Sequence, residues 1–328
     1  MNQFKPIIFG ISGTNLTSQE KDFFINNPVV GFILFKRNIE SNLQLLKLVS
    51  ELKELYHNHS LLPLIFIDQE GSRVARLKPP LASLEYPPAE FFNKLYESNG
   101  KNLAINATRD NYLQLMADLR KYGINSPCAP VADLRYTYTD NIIGNRSFGS
   151  KVTEVVELCL AAIDGITELG GIPIIKHIPG HGRATCDSHL ALPHVKTSLE
   201  ELNISDFEVF RQLSKDKKTQ WAMTAHIIFD ALDNMLPVTI SKKAINFIRE
   251  DIGFKGTLIS DDICMHALHV GIDFNIKSAF IDSLAKVSKQ AFEAGCDIVC
   301  HCSGNIEEMR AVSEALPYKD ILNLITNN

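Results

Sequence analysis

The sequence predicts an α/β fold, a single closed (β/α)8 TIM barrel over residues 1–328, and three observations carry that expectation. Short apolar runs recur along the chain, amphipathic stretches separate them, and reactive side chains stand where the runs stop. The runs are residues 7–11, 29–35, 64–67, 127–132, 172–176, 221–226, 257–260 and 297–301. Each is brief and almost continuously apolar, as strands buried on both faces of a parallel sheet should be. Between them, Leu45, Leu48, Val49, Leu52 and Leu55 follow the three-and-four spacing of one buried helix face, and Val152, Val155, Cys159, Ile163 and Ile166 repeat it. Eight strand–helix units in more than about 250 residues match a closed barrel; a doubly wound open sheet is the alternative. No Ser/Pro/Gly-rich linker or close repeat divides the chain, so one domain is expected. The longest interval, 68–126, holds helix-like sequence around 111–122 and is read as an insertion.

Composition narrows the function classes. The 328 residues are 45% hydrophobic and 22% charged, an ordinary globular balance. With 33 Lys+Arg against 38 Asp+Glu the net charge is −5, and no long basic run exists to track a phosphate backbone, which argues against nucleic acid as a partner. No apolar run reaches membrane-spanning length, and the first residues lack a signal-peptide pattern. The seven cysteines, an odd number in apolar contexts, read as reduced thiols. A cytoplasmic protein is therefore expected; a monomer or weak homodimer is the accompanying expectation, which composition does not fix.

The densest chemistry lies in Lys176-His177-Ile178-Pro179-Gly180-His181-Gly182-Arg183-Ala184-Thr185-Cys186-Asp187-Ser188-His189, directly after an apolar run. Pro179, Gly180 and Gly182 break the strand into a loop. The polar groups thus fall at the carboxyl end of a strand, where parallel α/β folds place catalytic residues. His181, Asp187 and His189 are competent zinc ligands, but their spacing follows no standard zinc pattern, so catalysis without a metal is the preferred reading. The loop has almost no apolar anchor between Arg183 and Asp187 and is expected to move.

Other strand ends agree. Strand three ends in Asp68-Gln69-Glu70-Gly71, strand five in Lys176-His177, strand six in Met223-Thr224-Ala225-His226 and strand seven in Ser260-Asp261-Asp262. One such residue is often just the first solvated position of a loop; the set points to one reactive rim. Carboxylates, cations and histidines together suit oxocarbenium chemistry on a sugar or metal-assisted hydrolysis.

These residues also resemble a known family. Lys176 to Gly182 followed by Asp187-Ser188-His189, Asp68 to Arg76 (with Ser72 in place of a glycine), Ile143-Gly144-Asn145-Arg146-Ser147-Phe148-Gly149, and Gly253-Phe254-Lys255-Gly256 through Ser260-Asp261-Asp262 are similar, in order, to four blocks of the glycoside hydrolase family 3 β-N-acetylglucosaminidases of the NagZ type, also called β-hexosaminidases. The resemblance implies a single TIM barrel and a retaining glycosidase without cofactor. It assigns Asp261 as the nucleophile, His189 as general acid/base and Asp187 as the partner orienting that imidazole. It places Asp68, Arg76, Arg146, Lys176 and His177 on the sugar. The implied substrate is a carbohydrate, GlcNAc-anhydroMurNAc with or without peptide, in peptidoglycan recycling and cell wall organization. Alternatives are a phosphorylase, since a neutral histidine does not repel phosphate, a related family 3 β-glycosidase, and a sugar-binding barrel without activity. Asp262 replaces Asp261 if the register slips by one, and Arg73 competes with Arg76. His181, His226, His266 and His269 receive no role.

Overall fold

A computed structural model describes residues 3–59, 61–188 and 191–321. Eight parallel strands form its centre: β1 Gln3–Gly10, β2 Val29–Leu34, β3 Leu64–Ile67, β4 Ser126–Pro127, β5 Ile174–Ile178, β6 Trp221–Thr224, β7 Thr257–Asp262 and β8 Ile298–His301. Successive strands pair in parallel, and β1 pairs with β8. Between β4 and β5 the ladder is irregular, yet Ile174 N–H donates to Ala129 at 2.9 Å and Ala132 N–H to Lys176 at 2.7 Å, which completes the ring. The expected (β/α)8 barrel is present.

The departures have local causes. The fourth strand was expected over 127–132, but only Ser126–Pro127 is regular, because Pro127 and Pro130 cannot donate to a ladder. β5 starts two residues after the expected position, past Pro173, and its register shifts between Lys176 and Ile178. That irregularity leaves both Lys176 and His177 buried, where strict alternation would turn one outward.

The helices follow the apolar spacing. Asn42–Glu54 buries Leu45, Leu48, Val49 and Leu52 and is capped by Ser41, whose side chain accepts from Gln44 N–H. Val152–Glu168 buries Val155, Cys159, Ile163 and Ile166. The reading of 68–126 as an insertion needs correction. Its helix Lys101–Lys121 lies against Val152–Glu168 so closely that a Cβ on Gly165 would sit 2.3 Å from the Arg109 carbonyl oxygen. On its other side Lys53 reaches the Gly123 carbonyl at 2.8 Å. This helix therefore belongs to the barrel's outer ring. What is additional is the small ladder Gln69–Gly71 with Val74–Ala75 and the helix Ala89–Asn99. Asp118 pins the 81–88 loop to the ring, accepting from Ser83 N–H at 2.7 Å and Tyr86 hydroxyl at 2.5 Å.

Trp221, the chain's one tryptophan, is fully buried on β6, its ring 6.0 Å from that of Phe66. All seven cysteines are free thiols. Among the described residues, no helix is long and apolar enough to cross a membrane.

Candidate active site

Because every barrel strand runs the same way, the carboxyl ends of β3, β5, β6 and β7 share one rim. Lys176 is 2% exposed there, its Nζ 3.0 Å from Asp68 Oδ1 and 2.6 Å from Glu70 Oε1. Arg76 Nη2 meets Asp68 Oδ2 at 2.9 Å. Arg146 binds Glu70 with both arms of its fork, Nε to Oε2 at 2.7 Å and Nη2 to Oε1 at 2.8 Å. Burial alone would raise both carboxyls. Lys176 and Arg76 outweigh it at Asp68, and Arg146 with Lys176 does so at Glu70, so both stay below the usual carboxylate range. Two carboxylates and three cations in one patch, with Lys176 and Glu70 buried and the other three half-buried, leave lone pairs and N–H groups for sugar hydroxyls.

Asp261 and Asp262 end β7. Asp262 is turned into the frame: its Oδ1 accepts Cys264 N–H at 3.0 Å and Cys302 N–H at 3.1 Å, tying β7 to β8. Asp261 keeps one oxygen near His177, with Oδ2 3.9 Å from Nε2, and its Oδ1 accepts Asp262 N–H at 2.8 Å. Burial would raise the Asp261 carboxyl, but His177, His226 and that N–H together hold it below its ordinary value. It is a carboxylate at neutral pH.

Asp133, just past the fourth strand, organises the histidines. Its Oδ2 is 2.7 Å from His177 Nδ1, and its Oδ1 accepts the backbone N–H groups of His177 at 3.1 Å and His181 at 2.7 Å. A carboxylate at Nδ1 fixes the proton there and turns Nε2 toward the site. Burial and the adjacent His177 push His181 down to about 4, so its ring is neutral; it lies 3.2 Å from Ser188 Oγ. His226 is also lowered by burial, although Asp261 opposes this. Its Nε2 donates to the Asp262 carbonyl at 3.0 Å, which leaves Nδ1 to accept from the Thr239 hydroxyl at 2.7 Å.

The loop after β5 is better anchored than its sequence suggests. Arg183 Nε meets the buried Asp206 at 2.7 Å, and its guanidinium lies 4.5 Å from the Tyr136 ring centroid. Ala184 is 1% exposed, so the expectation of a segment without apolar anchors from Arg183 to Asp187 is corrected. Ser188 O accepts from Ala267 N–H at 3.3 Å, which brings the loop beside the turn following β7. Asp187 lies on this loop at intermediate burial; His189 lies outside the described residues.

A half-buried carboxylate at a barrel rim beside a sugar-compatible charge cluster narrows the chemistry, and comparison with known proteins decides the family. The family model described as the glycosyl hydrolase family 3 N terminal domain matches residues 5–324. The chain belongs to glycosyl hydrolase family 3. Similar proteins include the beta-hexosaminidase of Psychromonas ingrahamii, 32% identical over 300 residues that cover 91% of this chain and 83% of that one. The beta-hexosaminidase of Neisseria meningitidis serogroup A is 34% identical over 299 residues, covering 91% and 78%. Among solved structures, NagZ from Neisseria gonorrhoeae in complex with N-trifluoroacetyl-D-glucosamine gives a TM-score of 0.86 at 30% identity, covering 99% of this chain and 89% of that one.

In this family 3 glycoside hydrolase, Asp68, Arg76, Arg146, Lys176, His177 and Asp261 converge on one rim. Arg73 stands aside: it bonds the carbonyls of Asn141, Ile142 and Ile143 and so holds the loop that presents Arg146. His269 is tied between Ser283 and the Ile263 carbonyl, and His266 stacks on Phe274. Glu70, Asp133 and His226 were not assigned roles from sequence. Asp133 carries the same signal as the others, a carboxylate immediately after an apolar run, and Glu70 stands two residues beyond Asp68 at the same strand end.

Proposed function

We propose that this hydrolase is a retaining exo-β-N-acetylglucosaminidase that removes the non-reducing GlcNAc from 1,6-anhydro-muropeptides during cytoplasmic peptidoglycan recycling. The observation that carries the reading is Asp261: an ionised carboxylate at the end of β7, its Oδ2 3.9 Å from His177 and within the field of Lys176. The gonococcal NagZ structure with N-trifluoroacetyl-D-glucosamine and the relatives named beta-hexosaminidase support an acetamido sugar in this rim.

In the first step an Asp261 oxygen attacks the anomeric carbon as the glycosidic C–O bond breaks, and His189 gives its proton to the departing oxygen. Asp187 holds that imidazole in one tautomer, the task an aspartate performs beside the histidine of a serine-protease triad. In the second step water attacks the same carbon, His189 takes the water's proton, and the Asp261 ester bond opens. Configuration is inverted twice and so retained. Asp68, Arg76, Arg146, Lys176 and His177 fix one terminal sugar throughout.

The test combines preference with trapping. A chromogenic β-N-acetylglucosaminide should be turned over with a kcat/KM at least about 100-fold above that of the β-glucoside, since groups matched to a polar substituent are left unpaired by an analogue that lacks it. A 5-fluoro-N-acetylglucosaminyl fluoride should leave one sugar mass on the peptide containing Asp261. Equal turnover of the two glycosides, or a label on any other residue, would refute the assignment.

A further inference from the structure

A second group of reactive side chains stands next to the nucleophile's strand. Cys264 lies on the turn after β7, His301 ends β8, and Glu308 lies in the first turn of the helix Ile306–Ala315. One ligand-type atom from each of the three lies within 4.8 Å of the other two, with His301 and Glu308 buried and Cys264 partly buried. None of them takes part in the sugar chemistry above.

The group is held in place. His301 Nε2 is 3.1 Å from Glu308 Oε2, and Ser303 donates to the same oxygen at 2.5 Å. The imidazole meets the Phe9 ring edge-on, centroids 5.5 Å apart, and its Nδ1 is buried without a hydrogen-bond partner. A carboxylate in a first helical turn is explained by the helix dipole alone, and Glu307 and Glu308 both occupy such positions. The dipole does not explain a thiol and an imidazole converging on that carboxylate from two other segments. Thiolate, imidazole and carboxylate are the donor set that zinc takes.

We propose that Cys264, His301 and Glu308 form a binding site for one divalent cation of the zinc class. On binding, Cys264 releases its proton to solvent and coordinates as thiolate, His301 coordinates through a neutral ring nitrogen, and Glu308 coordinates as carboxylate. The two anionic ligands balance the ion's charge. Zinc–ligand bonds of about 2.0–2.3 Å set tetrahedral edges of roughly 3.3–3.8 Å; His301 Nε2 and Glu308 Oε2, at 3.1 Å, already stand near that spacing, and a separation of 4.8 Å, the limit within which the three atoms lie, would close by about an ångström. Arg37, the neighbouring cation, is directed at the carbonyls of Ile11 and Cys302. Because Cys264 N–H holds Asp262 Oδ1 at 3.0 Å, the ion sits one hydrogen bond from the residue that ties down the nucleophile's strand.

Titrating the metal-free protein with Co²⁺ tests the site without reference to activity. Cobalt bound to a thiolate gives a near-ultraviolet charge-transfer band that cobalt on the carboxylates and histidines of the sugar rim does not give. One equivalent should develop the band. Cys264→Ser should abolish it, Glu308→Gln should keep it while weakening binding at least about tenfold, and Cys186→Ser and Cys302→Ser should leave it unchanged. Melting temperatures without metal show that each variant is folded, and Glu308→Gln tests the site independently of the thiol. A missing band, a band that survives Cys264→Ser or disappears with Cys186→Ser or Cys302→Ser, or unaltered affinity in Glu308→Gln would each overturn the proposal.

Discussion

Asp261→Ala should lower kcat on an N-acetylglucosaminide by at least about three orders of magnitude, because the covalent step and the charge that stabilises the oxocarbenium-like transition state vanish together. Asp262→Ala should lose far less, about 100-fold, the loss expected when an attacking group drifts by an ångström. The structure separates the two by direction. Asp262 is held to the frame through the N–H groups of Cys264 and Cys302, both on its Oδ1, whereas Asp261 faces His177. In Asp261→Ala the emptied space should admit azide, restoring part of the rate with an activated substrate and giving the α-glycosyl azide. A greater loss in Asp262→Ala than in Asp261→Ala would show that the roles have been exchanged.

Glu70→Gln should destabilise the fold by about 3 kcal/mol, the range found when one partner of a buried ion pair is removed, seen as a fall in melting temperature of roughly 4–5 °C. Glu70 is 5% exposed and serves both the Arg146 fork and Lys176. Without its charge two desolvated cations share what Asp68 can offer, and Arg146 loses the anchor that aims it at the sugar. The double variant Glu70→Gln/Arg146→Met removes one of those cations and should recover most of the melting temperature while KM stays high. Acid supplies a second check. Because the folded carboxyl titrates below its unfolded value, its contribution is complete at neutral pH and is lost as pH falls through the lowered value. The stability gap between the native protein and Glu70→Gln should therefore close on acidification; a gap independent of pH, or a double variant no more stable than Glu70→Gln, would contradict this account.

The barrel was legible because its signal is periodic: parallel strands covered on both faces must be apolar throughout, and eight such runs leave few alternatives. The rim was legible because a charge directly after such a run has one place to go. Asp133 goes unmarked and Glu70, though placed on the rim, receives no role, because their importance lies in partners far away in sequence, His177 and His181 for one and Arg146 and Lys176 for the other. The helix Lys101–Lys121 was misjudged for a related reason, since only its contacts with Val152–Glu168 and Lys53 show that it closes the ring. The grouping of Cys264, His301 and Glu308 had no local signature at all; three ordinary residues from separate segments acquire a shared chemistry only when β7 and β8 lie side by side.

The position of Trp221 has a spectroscopic consequence. The indole stands at the start of β6, enclosed and beside Phe66, while every group assigned to the sugar stands at the strands' opposite ends. Its emission is therefore that of a shielded fluorophore, with solvent quenchers kept away until the barrel itself opens. Light from this one residue reports the integrity of the scaffold and is blind to events in the loops, which makes it a clean internal standard for separating variants that fail to fold from variants that fold and fail to react.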